Sequence, residues 1–299
     1  MRPLIHEQVQ RVIAAVEKDA PGGFDRRAAA LELLEVHVLD RLQYLEELAP
    51  LEPALLALRA HATTLHQRLE ATNQRLLRRL RLRIAAGKYT PGGLKRALAQ
   101  CAAPPGRRDG YDVLDRLVAG LLADVPPSEP RVELEREMVA YQPTPARAIL
   151  TLIERTCLGP DDTLVDLGSG LGHVVILVAL LCGARARGIE LEPAYCDYAR
   201  RCAGRLNVPR VEFIQGDARE ASLAYGTVFF LFTPFRGALL RQVLERLRAQ
   251  ARVRPIRVST YGPCTAEMAG VSWLRPGDRR DTGEHEVAVF HAAGPGLHP

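Results

Sequence analysis

The stretch "LVDLGSGLGHVV", residues 164–175, sets three glycines in five positions between two apolar runs. Glycine tolerates positive φ and leaves no Cβ beside the backbone, so something can approach the chain closely here. The run "TLVDLGS" reads as a buried strand and "LGHVVILVALLCG" as the helix that follows it. In parallel α/β sheets, ligands sit beyond the carboxyl ends of the strands, where such a turn lies. A tight strand–helix turn explains the glycines equally well. Their G-x-G-x-G spacing also differs from the dinucleotide pattern G-x-G-x-x-G.

Working outward, the alternation of short strands and helices continues. "PARAILTLIERTC" is a helix before the first strand. "ARARGIE" is the second strand, "PAYCDYARRCAGRL" a helix, "VEFIQGD" the third strand and "TVFFLF" the fourth. "GALLRQVLERLRAQ" is a further helix and "IRVSTYG" the fifth strand. This order predicts a doubly wound parallel sheet. "VSWLRP" and "HEVAVFHA" follow too closely for a crossover helix and should pair as an antiparallel hairpin.

Three acids fall at the ends of consecutive strands. Asp166 lies just before the glycines, Glu190 ends the second strand and Asp217 the third. A carboxylate in the place of Glu190 can accept from both hydroxyls of a ribose, and one in the place of Asp217 from an exocyclic amine. Each alone is equally a solvated strand-end acid. The three together point to a nucleoside-containing ligand.

"VDLGSGLG", "GIE", "QGDA" and the terminal hairpin resemble the class I S-adenosylmethionine-dependent methyltransferases, over roughly half of the chain. The resemblance implies a Rossmann-like doubly wound sheet with a C-terminal antiparallel hairpin, preceded by an all-α domain. It implies that Asp166 and the Gly168–Gly172 backbone, with Ser169 and Gly170, hold the cofactor's methionine end. Glu190 would bind the ribose with Leu191 beside it, and Asp217 the adenine amine beside Ala218. More closely, "DLGSGLGHVVILVA" and the preceding "YQPTP" resemble the non-SET class I protein-lysine methyltransferases. There a loop ahead of the glycine strand folds over the cofactor, and Tyr141 and Thr144 lie on the corresponding segment. Thr144 also suits a helix cap before Pro145.

The methyl acceptor should lie beyond strands four and five. "FTPFRG" lacks the amide or acid that amino-group methylases carry before Pro-Pro-aromatic, so DNA adenine methylation is not expected. "VSTYGPCT" places Thr260 where uracil-5 RNA methyltransferases carry a nucleophilic cysteine, and Cys264 comes four residues later. Without a thiolate, methylation of a pyrimidine carbon has no mechanism. An N- or O-acceptor remains, in a pocket that Phe232, Thr233, Phe235 and Tyr261 would line. A protein lysine is the leading expectation. A small molecule, an RNA or a non-catalytic S-adenosylmethionine-binding scaffold are the alternatives.

Residues 1–130 read as helix throughout and form the expected first domain, for substrate recognition or homodimerisation, with residues 131–299 as the methyltransferase domain. "PPSEP", residues 126–130, is the expected linker. Leu31, Leu34, Val38, Leu42 and Leu45 recur at helical spacing. A second stripe, Leu58, Ala62, Leu65, Leu69, Leu76, Leu80 and Ile84, predicts one long helix from Pro53 to about Gly87. From Arg75 to Arg96 run eight basic residues and no acidic one. A solvated helix face is the favoured reading over a nucleic-acid surface, because no aromatic residues are interleaved to stack on bases.

The 299 residues carry a net charge of +5, and three lysines accompany 37 arginines, which argues only weakly for nucleic acid. No apolar run approaches the roughly 18 residues of a membrane helix. The N-terminus lacks a signal-peptide pattern. The six cysteines and eight histidines show no metal-ligand spacing. A reduced, cytoplasmic, metal-free enzyme is expected.

Overall fold

The computed structural model describes residues 2–19, 22–101, 110–125, 127, 129–277 and 285–292. The chain divides into two compact units. The first comprises Met1–Leu82, Ala97–Gly106 and Asp112–Leu121, and the second Arg83–Arg96, Arg107–Tyr111 and Leu122–Pro299.

The N-terminal helices are α1 (Arg2–Asp19), α2 (Phe24–Leu34), α3 (Asp40–Leu48), α4 (Pro53–Ala85), α5 (Pro91–Cys101) and α6 (Val113–Leu122). A π-helical turn, Glu35–Leu39, joins α2 to α3. It keeps Leu31, Leu34, Val38 and Leu42 on one buried face, against Val9, Ile13, Val16, Ala62, Leu65 and Leu69. Helix α4 spans 33 residues. Its buried stripe is Leu55, Ala62, Leu65, Leu69, Asn73, Leu77, Leu80 and Ile84. Leu58 and Leu76, expected on that stripe, are only half-buried. Asn73 takes the intervening position because its Oδ1 accepts a hydrogen bond from Arg27 Nε at 2.8 Å. A polar group is tolerated in a core when it is so paired.

The expected domain boundary at 130 falls inside the second unit. Lys95 on α5 pairs with Glu154 at 2.5 Å. Tyr198 Oη donates to the Leu122 carbonyl at 3.3 Å, and Asp124 pairs with Arg201 and Arg205.

The second unit is built on a seven-stranded sheet. Its strands are β1 (Thr163–Leu167), β2 (Arg185–Glu190), β3 (Val211–Gln215), β4 (Val228–Leu231), β5 (Ile256–Thr260), β6 (Arg275–Pro276) and β7 (Ala288–Ala292). They lie in the order β3-β2-β1-β4-β5-β7-β6. β1 to β5 are parallel, whereas β7 runs antiparallel to both β5 and β6. Strands β1 and β4 are buried along their whole length, as expected of parallel strands covered on both faces. Val165, Leu167, Phe229, Leu231, Val258 and Phe290 pack against α10 (Gly237–Ala251) and α11 (Cys264–Ala269). Helices α8 (His173–Cys182) and α9 (Pro193–Arg205) pack on β1 to β3, with α7 (Ala146–Arg155) beside α8.

The terminal hairpin pairs as expected, but the strand read over "VSWLRP" is narrower. Only Arg275 and Pro276 join the ladder, because Ser272 and Trp273 form a turn. The order of strands reverses between β1 and β4, which is where a ligand cleft is expected.

Candidate active site

A cavity of about 310 Å3 opens over that switch point. Asp166, Gly168 and Ser169 line it from β1, Glu190 and Leu191 from β2, and Asp217 and Ala218 from β3. Phe232, Thr233, Pro234 and Phe235 line it after β4. The segment ahead of α7 closes it with Pro130, Val132, Leu134, Met138, Tyr141 and Thr144. His173, Glu192 and Tyr195, which the sequence reading did not single out, line it too.

The glycines answer a different question from the one their spacing posed. Gly168, Gly170 and Gly172 all have positive φ, at 82°, 51° and 80°, but each accommodates protein atoms. A Cβ on Gly168 would lie 2.6 Å from Pro234 Cβ, and one on Gly172 would lie 2.7 Å from both Ala199 and Phe213. One on Gly170 would fall on the ring of Tyr141. Gly170 and Gly172 lie off the cavity wall, and Gly168 is on it. The turn brings β4, the covering segment and α9 together around the end of β1.

The three acids differ in environment. Glu190 accepts from Gly170 N at 2.8 Å with Oε2 and from Glu192 N at 2.9 Å with Oε1. Burial still raises its pKa, against the pull of those N–H groups. Asp217 Oδ2 accepts from Arg219 Nε and Nη2 at 2.9 and 2.6 Å, and Oδ1 from Arg219 N at 2.7 Å. That pairing with Arg219 holds it below the usual carboxylate range despite partial burial. Oδ2 thus accepts twice, and Oδ1 keeps a lone pair for a further donor.

Asp166 is buried at 3% exposure, and its pKa is pushed up to about 8 by burial and by the nearby Glu190 charge. Its folded-state pKa therefore lies above the unfolded value of roughly 3.9. Between those values the native carboxyl keeps a proton that the unfolded chain has lost, so its contribution to stability falls as pH rises. Asp166→Asn should consequently raise the Tm of the cofactor-free protein relative to wild type, and by more at pH 8 than at pH 5. A difference in Tm that stays level with pH would show that Asp166 is ionised in the native state.

Tyr141 lies over Gly170, with its ring centroid 5.3 Å from that of Tyr195 and its hydroxyl 3.2 Å from His173 Nδ1. Burial raises the pKa of the phenol and pushes that of His173 down to about 4. The imidazole is accordingly neutral near pH 7. Thr144 faces the cavity, and Pro145 occupies the cap position of α7 without a side-chain bond.

At the other end, Thr233 has φ 41°, a strained conformation for a β-branched residue. Its hydroxyl donates to the Tyr261 carbonyl at 3.2 Å and accepts from Cys264 N at 3.1 Å. Those bonds commit it to holding the loop. Phe235 lines the cavity and bridges to Met138. Tyr261 lies behind the wall, its ring 4.9 Å from that of Phe232, and not on it as expected. Cys264 is fully buried, and burial raises its thiol pKa, which does not suit a nucleophile.

These groups fit S-adenosylmethionine. Asp166 offers a buried acid to a cationic end, and the buried Ser169 Oγ has no partner among the described residues. Glu190 and Asp217 follow along the cleft in the order a ribose and an adenine would need. No cluster of metal-binding side chains occurs among the described residues.

A seven-stranded sheet with its last strand reversed, and a cleft over the switch point, are the features of the class I methyltransferase fold. Within that class, residues 139–215 match the family model DOT1, described as histone methylation protein DOT1. A histone-lysine N-methyltransferase, H3 lysine-79 specific, of Cryptococcus neoformans var. neoformans is 51% identical over 47 residues. That match covers 15% of this chain and 7% of the relative. The Caenorhabditis elegans enzyme of the same description is 33% identical over 87 residues, or 26% of this chain and 9% of that one. The chain thus spans less than a tenth of these curated relatives. Among solved structures, an RNA methyltransferase from Salinibacter ruber in complex with S-adenosyl-L-homocysteine is 29% identical, with a TM-score of 0.42. It covers 53% of this chain and 97% of its own. A putative methyltransferase from Escherichia coli is 19% identical over 52% of this chain and 90% of its own, also with a TM-score of 0.42.

Proposed function

We propose that the protein methylates a lysine side chain of a protein substrate. The observation that carries this reading is the likeness to the histone methylation family over residues 139–215. That segment includes Tyr141 and Thr144 on the cavity wall together with the glycine turn.

Bound S-adenosylmethionine supplies an electrophilic methyl group on a sulfonium. In this proposal Asp166, Ser169 and the backbone of Gly168, the glycine of the turn that lies on the cavity wall, hold the methionine end, and Glu190 holds the ribose beside Leu191. Asp217 accepts from the adenine amine next to Ala218. Phe232, Pro234 and Phe235 form an apolar wall that excludes water and positions the acceptor, which is most of what a displacement requires. An apolar wall also lowers the pKa of a lysine ammonium, so water can take its proton without a dedicated base. Thr233 contributes by shaping that wall.

A cytoplasmic setting belongs to the same proposal, supported by the free, buried thiols of Cys196, Cys202 and Cys264. So does a homodimer through the helical half, which sedimentation would test.

Incubating a lysate with methyl-labelled S-adenosylmethionine tests the acceptor. Label should stay with protein through ribonuclease treatment and above a small-molecule filter, and acid hydrolysis should release it as methyl-lysine. Label that passes the filter, or that ribonuclease removes, would replace lysine as the acceptor and leave the methyltransferase assignment in place.

A further inference from the structure

We infer that Glu192 is a positioning residue for the cofactor, clipping the covering segment across the cleft from the N-terminus of α9. The inference rests on the methyltransferase reading above and adds a residue to it.

Glu192 is only 4% exposed, and both its carboxylate oxygens are engaged. Oε1 accepts from Ala194 N at 3.1 Å, which caps α9. Oε2 accepts from Arg131 N at 2.7 Å and Val132 N at 3.0 Å. Pro130, Val132 and Leu134 line the cavity at alternate positions, so the clipped backbone carries one wall of the cleft. The far end of the same segment is held differently. Val139 N donates to the Pro234 carbonyl at 3.0 Å, Arg236 N to the Glu137 carbonyl at 2.9 Å, and Leu239 N to Glu137 Oε2 at 3.0 Å. In between, Arg219 joins Glu135 at 2.5 Å. Several elements share the load at that end. Among the described residues, the backbone of 130–134 makes its hydrogen bonds to Glu192, so this end opens when one carboxylate lets go. The acid proposed for the ribose, Glu190, accepts from Glu192 N. The clip and the ribose acid therefore share one turn.

Glu192→Asp separates the two jobs of the side chain. Aspartate still caps a helix, but it is one methylene too short to reach Arg131 N and Val132 N. The readouts are trypsin cleavage at Arg131 and Arg136, and calorimetric affinity for S-adenosylmethionine and S-adenosyl-L-homocysteine. The variant should be cut faster, bind both compounds about tenfold more weakly, as expected for lost bonds to a charged acceptor, and raise KM for the cofactor more than it lowers kcat. Arg131→Pro, which removes one clipped N–H from a residue whose side chain is exposed, should shift affinity and cleavage at Arg136 in the same direction with the α9 cap intact. Unaltered affinity in a variant whose segment is cut faster would overturn the inference, as would weaker binding without faster cleavage. Wild-type protein that binds neither compound would overturn the methyltransferase reading itself, and this inference with it.

Discussion

Gly170→Ala should destabilise the protein by about 2–5 kcal/mol and weaken cofactor binding at the same time. Gly170 has φ 51°, and an L-residue there costs roughly 1–2 kcal/mol. The new methyl would also fall on the ring of Tyr141, and overpacking of a filled site typically adds about 1–3 kcal/mol. Tyr141 cannot yield freely, because it contacts Tyr195 and hydrogen-bonds to His173. Its displacement would open the covering segment directly over the cleft. Thermal unfolding together with calorimetric titration of S-adenosyl-L-homocysteine checks both effects. An unchanged Tm would mean that the turn relaxes around the methyl and that the close approach is not a constraint.

The second large effect is expected at Glu190. Changing it to alanine leaves Gly170 N and Glu192 N without their acceptor and removes the group proposed for the ribose hydroxyls. Unsatisfied buried donors cost about 1–3 kcal/mol. Cofactor affinity should therefore fall by roughly tenfold to a hundredfold, at about 1.4 kcal/mol per factor of ten, with some loss of stability. Glu190→Gln keeps the shape and one acceptor oxygen and should fall between wild type and alanine. Full affinity in a folded Glu190→Ala protein would remove Glu190 from the cofactor site.

The sheet was legible because its signals are local. β1 and β4 are short, mostly apolar runs, the glycines break β1 from α8, and the last two strands lie too close for a crossover. The three acids could be placed because they end strands whose limits were readable. What escaped depends on distant partners. Residues 130–138 join no helix or strand of the sheet, and their place over the cleft is set by Glu192, Arg219 and α10. Asn73 reads as a gap in the stripe of α4 because its partner, Arg27, lies 46 positions away. Tyr261 and Thr233 share a position just after adjacent strands, yet one lies behind the wall and the other spends its hydroxyl on backbone. Glu192 did leave a local trace. An acid just before Pro193 is a helix-start signature, but nothing in it announces the reach to Arg131.

Because each glycine of the β1–α8 turn is matched to a side chain from another segment, this stretch is not portable. Grafted into a related sheet, "LGSGLG" would bring its backbone angles but not Pro234, Tyr141, Ala199 and Phe213, whose volumes its missing Cβ atoms accommodate. A host with a larger residue in the place of Ala199 would clash at Gly172, and one with a small residue in the place of Tyr141 would leave a hole beside Gly170. Exchange between homologues should succeed only when the turn travels with its four neighbours, so these positions ought to change together when they change at all.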